Sequence, residues 1–266
     1  MVTPARSRRQ RRLGQNFLAD PNLLEAIVRE SGVGGRDVAL EFGAGAGALS
    51  ELLADRVAHL HAIEVDRRLE EELAPLSVRG NVSLHWGDAM KLDLAGLDPA
   101  PRVVVSNLPY SVATPLILRT IEELPGVDRW TVMVQLEVAE RLRAAPGSRV
   151  YGVPSVLAQL AAEVEIARRV GRQVFVPRPR VDSALLRLRR TGAAPGEPLR
   201  DLVHDAFAHR RKSLARSLEL AGPGRLEVAR AALAELGLPE NARAEALSPE
   251  QFAALAAKLE RATSDE

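Results

Sequence analysis

The residues best suited to chemistry are three acids, a glycine-rich turn and a short polar–aromatic turn. Val38-Ala39-Leu40-Glu41-Phe42 has a strand pattern that runs into Gly43-Ala44-Gly45-Ala46-Gly47 and then into a helical pattern. Glycines let such a turn tighten and let a ligand approach the backbone closely. The spacing of Gly43, Gly45 and Ala48 also satisfies a relaxed dinucleotide fingerprint, so the glycines alone do not choose between ligands. The acids narrow the choice. Glu41 stands two residues before the first glycine, where a carboxylate repels a pyrophosphate and suits a cation. Glu64 ends the next strand pattern, 21 residues past Gly43, where a carboxylate can accept both hydroxyls of a ribose. Asp88 follows the third, in Gly87-Asp88-Ala89. Each acid alone is an ordinary turn residue. Three at successive strand ends line the carboxyl edge of a sheet, where open α/β folds bind ligands. An acid-lined nucleoside site without a phosphate cradle fits S-adenosylmethionine, whose sulfonium is cationic.

A fourth strand pattern ends in Ser106-Asn107-Leu108-Pro109-Tyr110. An amide, a rigid proline and an aromatic at the edge of a nucleoside site suit the amino group of an adenine. The Asn107 carboxamide oxygen and the Leu108 carbonyl can accept its two N–H groups. Pro109 stiffens the turn, and Tyr110 can stack on the base, a contact worth about 1–3 kcal/mol. The five histidines show no metal-ligand pattern. His59 and His61 alternate near a strand, His204 and His209 fall in a helical stretch, and none stands in an HExxH frame. Ser155 and Ser183 lie in no nucleophile elbow. No catalytic metal is expected.

These residues need a frame to hold them. Asp20-Pro21 opens a helical pattern with the stripe Leu23, Leu24, Ile27 and Val28, which Gly32 closes. Strand-like runs at Val38–Glu41, Leu60–Val65, Val82–Trp86, Val103–Ser106 and Thr131–Gln135 then alternate with helical ones such as Ala48–Ala54, Arg67–Ala74 and Leu116–Glu123. That alternation predicts a parallel, doubly wound α/β sheet. Two more strand candidates, Val164–Arg169 and Val181–Leu188, have little helix between them and suit a closing, hairpin-like pair. Thr191–Pro198 reads as a linker. Beyond it, Leu199, Leu202, Val203, Ala206, Phe207, Leu214 and Leu218 form one helical stripe, and Ser248-Pro249-Glu250-Gln251 fits a capping box. The reading is an α/β domain over residues 1–190 and a small helical domain over 191–266.

Composition sets the outer bounds. The chain has 266 residues and no cysteine, which excludes a disulfide scaffold, a thiolate zinc site and a cysteine nucleophile. No apolar run approaches the roughly 18 residues that span a bilayer, and no apolar h-region follows the basic N-terminus. A soluble, cytoplasmic protein without a membrane partner is expected. The net charge of +1 conceals a strong asymmetry. Residues 1–12 hold 5 Arg and no acid, which suggests a flexible arm built on Arg6, Arg8, Arg9, Arg11 and Arg12. Residues 13–167 hold 13 basic and 22 acidic groups, whereas residues 168–216 hold 13 and 4. A compositional bias explains the choice of 33 Arg over 3 Lys, but not this clustering. A polyanion meeting one surface explains it, and nucleic acid is the expected partner. Arg178, Arg180, Arg210, Arg211, Lys212 and Arg216 are the candidate phosphate contacts.

In these motifs the chain resembles the small-subunit (16S-type) ribosomal RNA adenine N6-dimethyltransferases, the KsgA family. The matching blocks are Leu13–Leu18, Glu41–Ser50, Glu64–Asp66, Gly87–Ala89, Asn107–Pro115 and Gln135–Leu142, then Val150–Val156, Phe175–Leu188, Phe207–Leu214 and Arg243–Leu247. The resemblance implies a Rossmann-like class I S-adenosylmethionine-dependent methyltransferase, with a seven-stranded sheet whose last strand is antiparallel and a small C-terminal helical, RNA-binding domain. It implies cofactor contacts at Asn16, Leu18, Gly43, Glu64, Asp88 and Asn107. On the residues alone, Leu13–Leu18 is only an amphipathic entry segment packed on the first helix. The resemblance places Phe175 against the flipped adenine, beside Asn107, Leu108, Pro109 and Tyr110; read by itself, Phe175 equally suits a core position closing the sheet. The implied partner is small-subunit rRNA in the immature 30S particle, at two adjacent adenines of the terminal hairpin, and a monomer is expected.

Three positions depart from the family pattern. Ala44 replaces a frequent proline and should loosen the turn, Ser111 replaces a frequent asparagine, and Arg178 adds a cation to a proline-rich stretch. Three rivals stay open at this point. One is a large-subunit rRNA dimethyltransferase of the erythromycin-resistance type, against which Val150–Val156, the Arg210–Leu214 helix and Arg243–Leu247 speak. Another is a non-catalytic assembly factor, disfavoured by the intact Asn107, Pro109, Tyr110 and site acids. The third is a nicotinamide-dependent dehydrogenase, disfavoured by Glu41 and the Asn107–Tyr110 turn.

Overall fold

A computed structural model describes residues 17–18 and 20–264. The basic arm 1–12 and Asn16 lie outside these residues. The strands are β1 (Phe17–Leu18), β2 (Val38–Phe42), β3 (His59–Glu64), β4 (Val82–Trp86), β5 (Val103–Asn107), β6 (Arg129–Gln135), β7 (Ala162–Val170), β8 (Phe175–Val176) and β9 (Ser183–Arg190). The helices that follow them early in the chain are α1 (Pro21–Ser31), α2 (Ala48–Ala54), α3 (Glu70–Ser77) and α4 (Ala113–Glu123). Later come α5 (Leu136–Leu142), α6 (Val153–Ala161), α7 (Glu197–Ala208), α8 (Leu214–Ala221), α9 (Arg225–Glu235) and α10 (Pro249–Ser264).

Seven strands form one sheet in the order β4-β3-β2-β5-β6-β9-β7, and β1 pairs with β8 in a separate two-stranded sheet. The pairs β2–β3, β3–β4, β2–β5 and β5–β6 are parallel, and β9 runs antiparallel to β6. This matches the expected doubly wound sheet with its last strand reversed. The two late strands, β7 and β9, are neighbours at the end of the order as expected, with β9 lying between β6 and β7. Chain order reverses between β2 and β5, which opens a crevice beyond their carboxyl ends.

Local sequence explains where elements start and stop. Asp20 caps α1 by accepting from the Asn22 and Leu23 amides, Pro21 fills the first turn, and Gly32 ends it at φ +63°. Leu23, Leu24, Ile27 and Val28 of α1 and Leu49 and Leu53 of α2 join Ala39, Leu60, Val103 and Leu185 of the sheet in one core. The expected helix at Arg67–Ala74 begins as a 3-10 turn, Arg67–Leu69, and continues as α3. His59 and His61 belong to a structural network. His61 Nε2 lies 2.8 Å from the Pro99 carbonyl, so this nitrogen donates, and Nδ1 accepts from His85 Nε2 at 3.0 Å. Burial holds both imidazoles below the ordinary histidine range, in the neutral form that this pairing requires.

The chain forms two compact units, and the dividing line is discontinuous. One holds the described residues up to Ala139 together with Val164–Arg190; the other holds Glu140–Glu163 with residues from Thr191 onward. The single boundary expected at residue 190 therefore misassigns residues 140–163. The reason is Tyr151, which is fully buried, packs edge-on to Phe207 at 6.0 Å and donates to the Leu247 carbonyl at 2.9 Å. Phe207 stacks in turn on Phe252 at 5.9 Å. In the same unit the expected stripe from Leu199 to Leu218 is broken into α7, which ends at Ala208, and α8, which Ser213 caps by accepting from the Arg216 amide. Ser248 and Gln251 form the expected reciprocal capping box at the start of α10.

Trp130 on β6 and Thr120 on α4 are both almost fully buried, and the indole N–H donates to Thr120 Oγ1 at 2.8 Å. Thr120→Val keeps the shape and leaves a buried donor unmet. It is expected to lower the unfolding free energy by about 1–3 kcal/mol, read as a shift of the urea midpoint at constant slope.

Candidate active site

The crevice at the reversal of strand order holds a cavity of about 300 Å³. Its walls come from the ends of β2, β3, β4 and β5, from Phe17, and from the first turn of α4. Gly43, Gly45, Glu64, Asp88, Asn107, Leu108, Pro109 and Tyr110, singled out from the sequence, are all brought together here.

The glycine turn is shaped by what surrounds it. Gly43, Gly45 and Gly47 have φ of +73°, +61° and +86°, a region that side-chain-bearing residues rarely adopt. A Cβ on Gly43 would sit 3.3 Å from Pro109 Cγ, and one on Gly45 would sit 3.0 Å from Phe17 Cε1. A Cβ on Gly47 would meet Leu76 Cδ1 at 2.9 Å. Each glycine thus clears a different neighbour, and two of those neighbours line the cavity.

Glu64 is 3% exposed and locks this turn to the end of β3. Its Oε2 accepts from the Gly45 amide at 2.8 Å, and Oε1 accepts from Val65 and Asp66 at 2.9 and 2.8 Å. A carboxylate offers about four acceptor sites, so the backbone occupies most of them, and Glu64 lines the cavity. Asp88 is exposed, and its Oδ1 accepts from the Met90 amide at 3.0 Å.

Glu41 departs from expectation. It does not line the cavity; it is 2% exposed and accepts from Ser50 Oγ on α2 at 2.6 Å. Burial pushes its carboxyl up to about 8, against a downward pull from the Ser50 hydrogen bond and a further upward push from Glu64. It is therefore protonated at neutral pH and presents no charge to a cationic ligand, because the cost of burying an unpaired carboxylate exceeds the gain from one hydroxyl donor.

The wall from β5 carries the amide and the aromatic. Asn107 ends the strand with Oδ1 buried, and the Leu108 amide donates to Met133 O on β6 at 3.0 Å. Ser106 Oγ donates to the Phe42 carbonyl at 2.7 Å and ties the ends of β5 and β2 together. The Tyr110 hydroxyl pairs with Ser183 Oγ at the start of β9, and burial raises the phenol above its ordinary range, so it stays protonated.

Two of the expected site residues are placed elsewhere. In the β1–β8 pair Leu18 stands opposite Phe175 and Phe17 opposite Val176. Side chains alternate along a strand, so Leu18 (8% exposed) and Phe175 (2% exposed) share the core face, away from the cavity. Phe175 packs in the core cluster and is not among the residues that line this cavity. Phe17, on the other face, lines the cavity and was missed in the sequence, although alternation within Asn16-Phe17-Leu18 carried the signal. Arg178, Arg180, Arg210, Arg211, Lys212 and Arg216 are all exposed, the first two in the sheet unit and the rest in the helical one. Arg210 also pairs with Glu245 at 3.3 Å.

Among the described residues no Lys, Arg or His lines the cavity, while Glu64 and Asp88 do. Such a wall rejects phosphates and favours a neutral or cationic ligand carrying hydroxyl or amino donors. No group of three His, Cys, Asp or Glu that could hold a metal occurs among the described residues, and no helix there is long and apolar enough to cross a membrane.

Glu41→Gln tests the buried carboxyl. A carboxyl raised from 4.5 to about 8 gives stability that is whole below about 4.5 and lost as pH rises through about 8. The glutamine variant should match the parent near pH 5 and exceed it by pH 9, on the order of a few kcal/mol, in urea unfolding. A pH-independent difference would mean that Glu41 is ionised in the fold.

Comparison with known proteins agrees with this geometry. A family model described as ribosomal RNA adenine dimethylase matches residues 6–261. A relative from Rubrobacter xylanophilus named ribosomal RNA small subunit methyltransferase A is 46% identical over 251 residues, covering 93% of this chain and 94% of its own. A Streptomyces coelicolor relative of the same name is 43% identical over 261 residues, covering 91% and 88%. Among solved structures, a dimethyladenosine transferase from Plasmodium falciparum superposes with a TM-score of 0.79 over 90% of this chain and 95% of its own, at 23% identity, which speaks for the fold alone. The 23S rRNA methyltransferase ErmE gives 0.68 over 92% and 100%, at 27% identity. The architecture is the class I methyltransferase fold, and the chain belongs to the ribosomal RNA adenine dimethylase family.

Proposed function

We propose that this chain transfers methyl groups from S-adenosylmethionine to the N6 of adenines in small-subunit ribosomal RNA. The family resemblance points to two adjacent adenines of the terminal hairpin, acted on in the maturing subunit. One observation carries the reading. A cavity walled by Glu64 and Asp88, without a basic side chain among the described residues, opens on the Asn107–Tyr110 turn. The donor set fits the cofactor. The backbone at Gly43 and Gly45 clears space that a Cβ would fill, and two carboxylates at successive strand ends suit a ribose, an adenine amine and a sulfonium.

When bound, S-adenosylmethionine supplies a methyl group already activated by the positive charge on sulfur. Glu64, Asp88, Gly43 and Gly45 would hold it, with Phe17 on the apolar side of the cavity. The target adenine has to leave its stack to reach this depth. Tyr110 offers it a ring face, and Ser183 fixes the hydroxyl end of that ring. The Asn107 Oδ1 and the Leu108 carbonyl accept the two N–H groups of the exocyclic amine. Acceptance there draws the amine toward tetrahedral geometry and frees its lone pair. Catalysis on this account is mostly orientation, and it calls for no base of unusual pKa. Arg178 and Arg180, and separately Arg210, Arg211, Lys212 and Arg216, offer exposed cations for phosphate contacts.

Asn107→Ala should lower kcat for methyl transfer by about 10²–10³, the loss seen when one transition-state hydrogen bond is removed. Its urea midpoint should stay near the parent value. Turnover within tenfold of the parent would remove the amide from the mechanism.

A further inference from the structure

We propose that Arg119 is a positioning residue for the cofactor wall, clamping the Asp88 segment onto the helix that follows the Asn107–Tyr110 turn; this rests on the assignment of the cavity to S-adenosylmethionine. Two walls of the cavity are separate in the chain. Asp88 and Ala89 follow β4, while Leu116 lies on α4. Arg119 is one turn beyond Leu116, and its side chain is only 15% exposed. It reaches across to the β4 loop. Nη1 donates to the Ala89 carbonyl and Nη2 donates to the Leu92 carbonyl at 2.6 Å. Nε donates to Glu123 Oε1 at 2.7 Å, which sets the plane of the guanidinium from one helical turn away.

The loop is built to receive this fork. The Asp88 carbonyl accepts from Lys91 and Leu92 amides at 2.8 and 3.1 Å, so Asp88–Leu92 closes into a turn that leaves the Ala89 and Leu92 carbonyls for Arg119. Gly87 lets Leu92 close in; a Cβ there would lie 3.1 Å from Leu92 Cδ2. The Asp88 carboxylate is exposed and oriented by the Met90 amide inside the same turn. The direction of Asp88 thus follows the direction of the turn, and Arg119 fixes the turn. A planar guanidinium spans two carbonyls and keeps a third donor for Glu123, an arrangement that a point-charge ammonium does not reproduce.

The test is calorimetric titration of the full chain with S-adenosylmethionine. Arg119→Met keeps the aliphatic stem and removes the fork; it should weaken Kd by about tenfold, the equivalent of one charge-assisted hydrogen bond, with kcat at saturating cofactor within about twofold. Arg119→Lys should fall between, and covers the case in which the methionine variant does not fold. In an Asp88→Ala background the Arg119→Met step should shrink to about twofold or less, since its effect runs through Asp88. An unchanged Kd in Arg119→Met with a lowered melting temperature would overturn the proposal and leave a structural clamp. So would a full tenfold step in the Asp88→Ala background. A parent protein that binds no S-adenosylmethionine would instead overturn the cofactor assignment on which it stands.

Discussion

A single buried carboxylate holds the geometry on which the site depends. Glu64 accepts three backbone N–H groups, one from Gly45 in the glycine turn and two from its own strand end. Three glycines in the left-handed region make a turn of high intrinsic freedom, and its cost in conformational entropy has to be met by contacts. Glu64 meets part of it, and the Ile63 carbonyl meets more by accepting from Gly43 at 2.7 Å and Ala44 at 3.1 Å. The second of these bears on the departure at residue 44. A proline there would lack the N–H that Ala44 donates, so this chain replaces a ring constraint with a hydrogen bond.

The electrostatics of the sheet edge separate three acids that look alike in sequence. Glu64 is buried but met by amide donors, and Asp88 is exposed. Glu41 is buried with one hydroxyl donor and lies near the charge of Glu64, so it keeps its proton. Of the three, only Glu64 and Asp88 line the cavity. On the opposite wall, the ends of β2 and β5 are tied by Ser106 to Phe42, which brings Pro109 against Gly43. Glycine turn and Asn107–Tyr110 turn therefore face one another because strand order reverses between them.

Much of this was legible in the sequence, and for identifiable reasons. The strands β2 to β6 were found to within a residue or two, since parallel strands read as short apolar runs between turn residues. Asn107, Tyr110, Glu64 and Asp88 stand out in the sequence as polar residues at or just past strand carboxyl ends, and the structure brings them to one cavity. Other features depend on information that no local window holds. Whether Glu41 faces the cavity or α2 is decided by Ser50, nine residues away across a turn. Phe175 suits an adenine contact or a core position equally in sequence, and its burial opposite Leu18 follows from a pairing more than 150 residues apart. The unit boundary was misread because Tyr151 joins Phe207 and Leu247 across more than fifty residues.

On this reading an acid-lined cavity presents an activated methyl group to an adenine amine of small-subunit rRNA. Labelled S-adenosylmethionine incubated with undermethylated small subunits and, separately, undermethylated large subunits tests it directly, with the labelled nucleoside then mapped in each rRNA. The expected product is N6,N6-dimethyladenosine near the end of small-subunit rRNA, with none in large-subunit rRNA. Label confined to the large subunit, or binding of subunits without transfer, would contradict it.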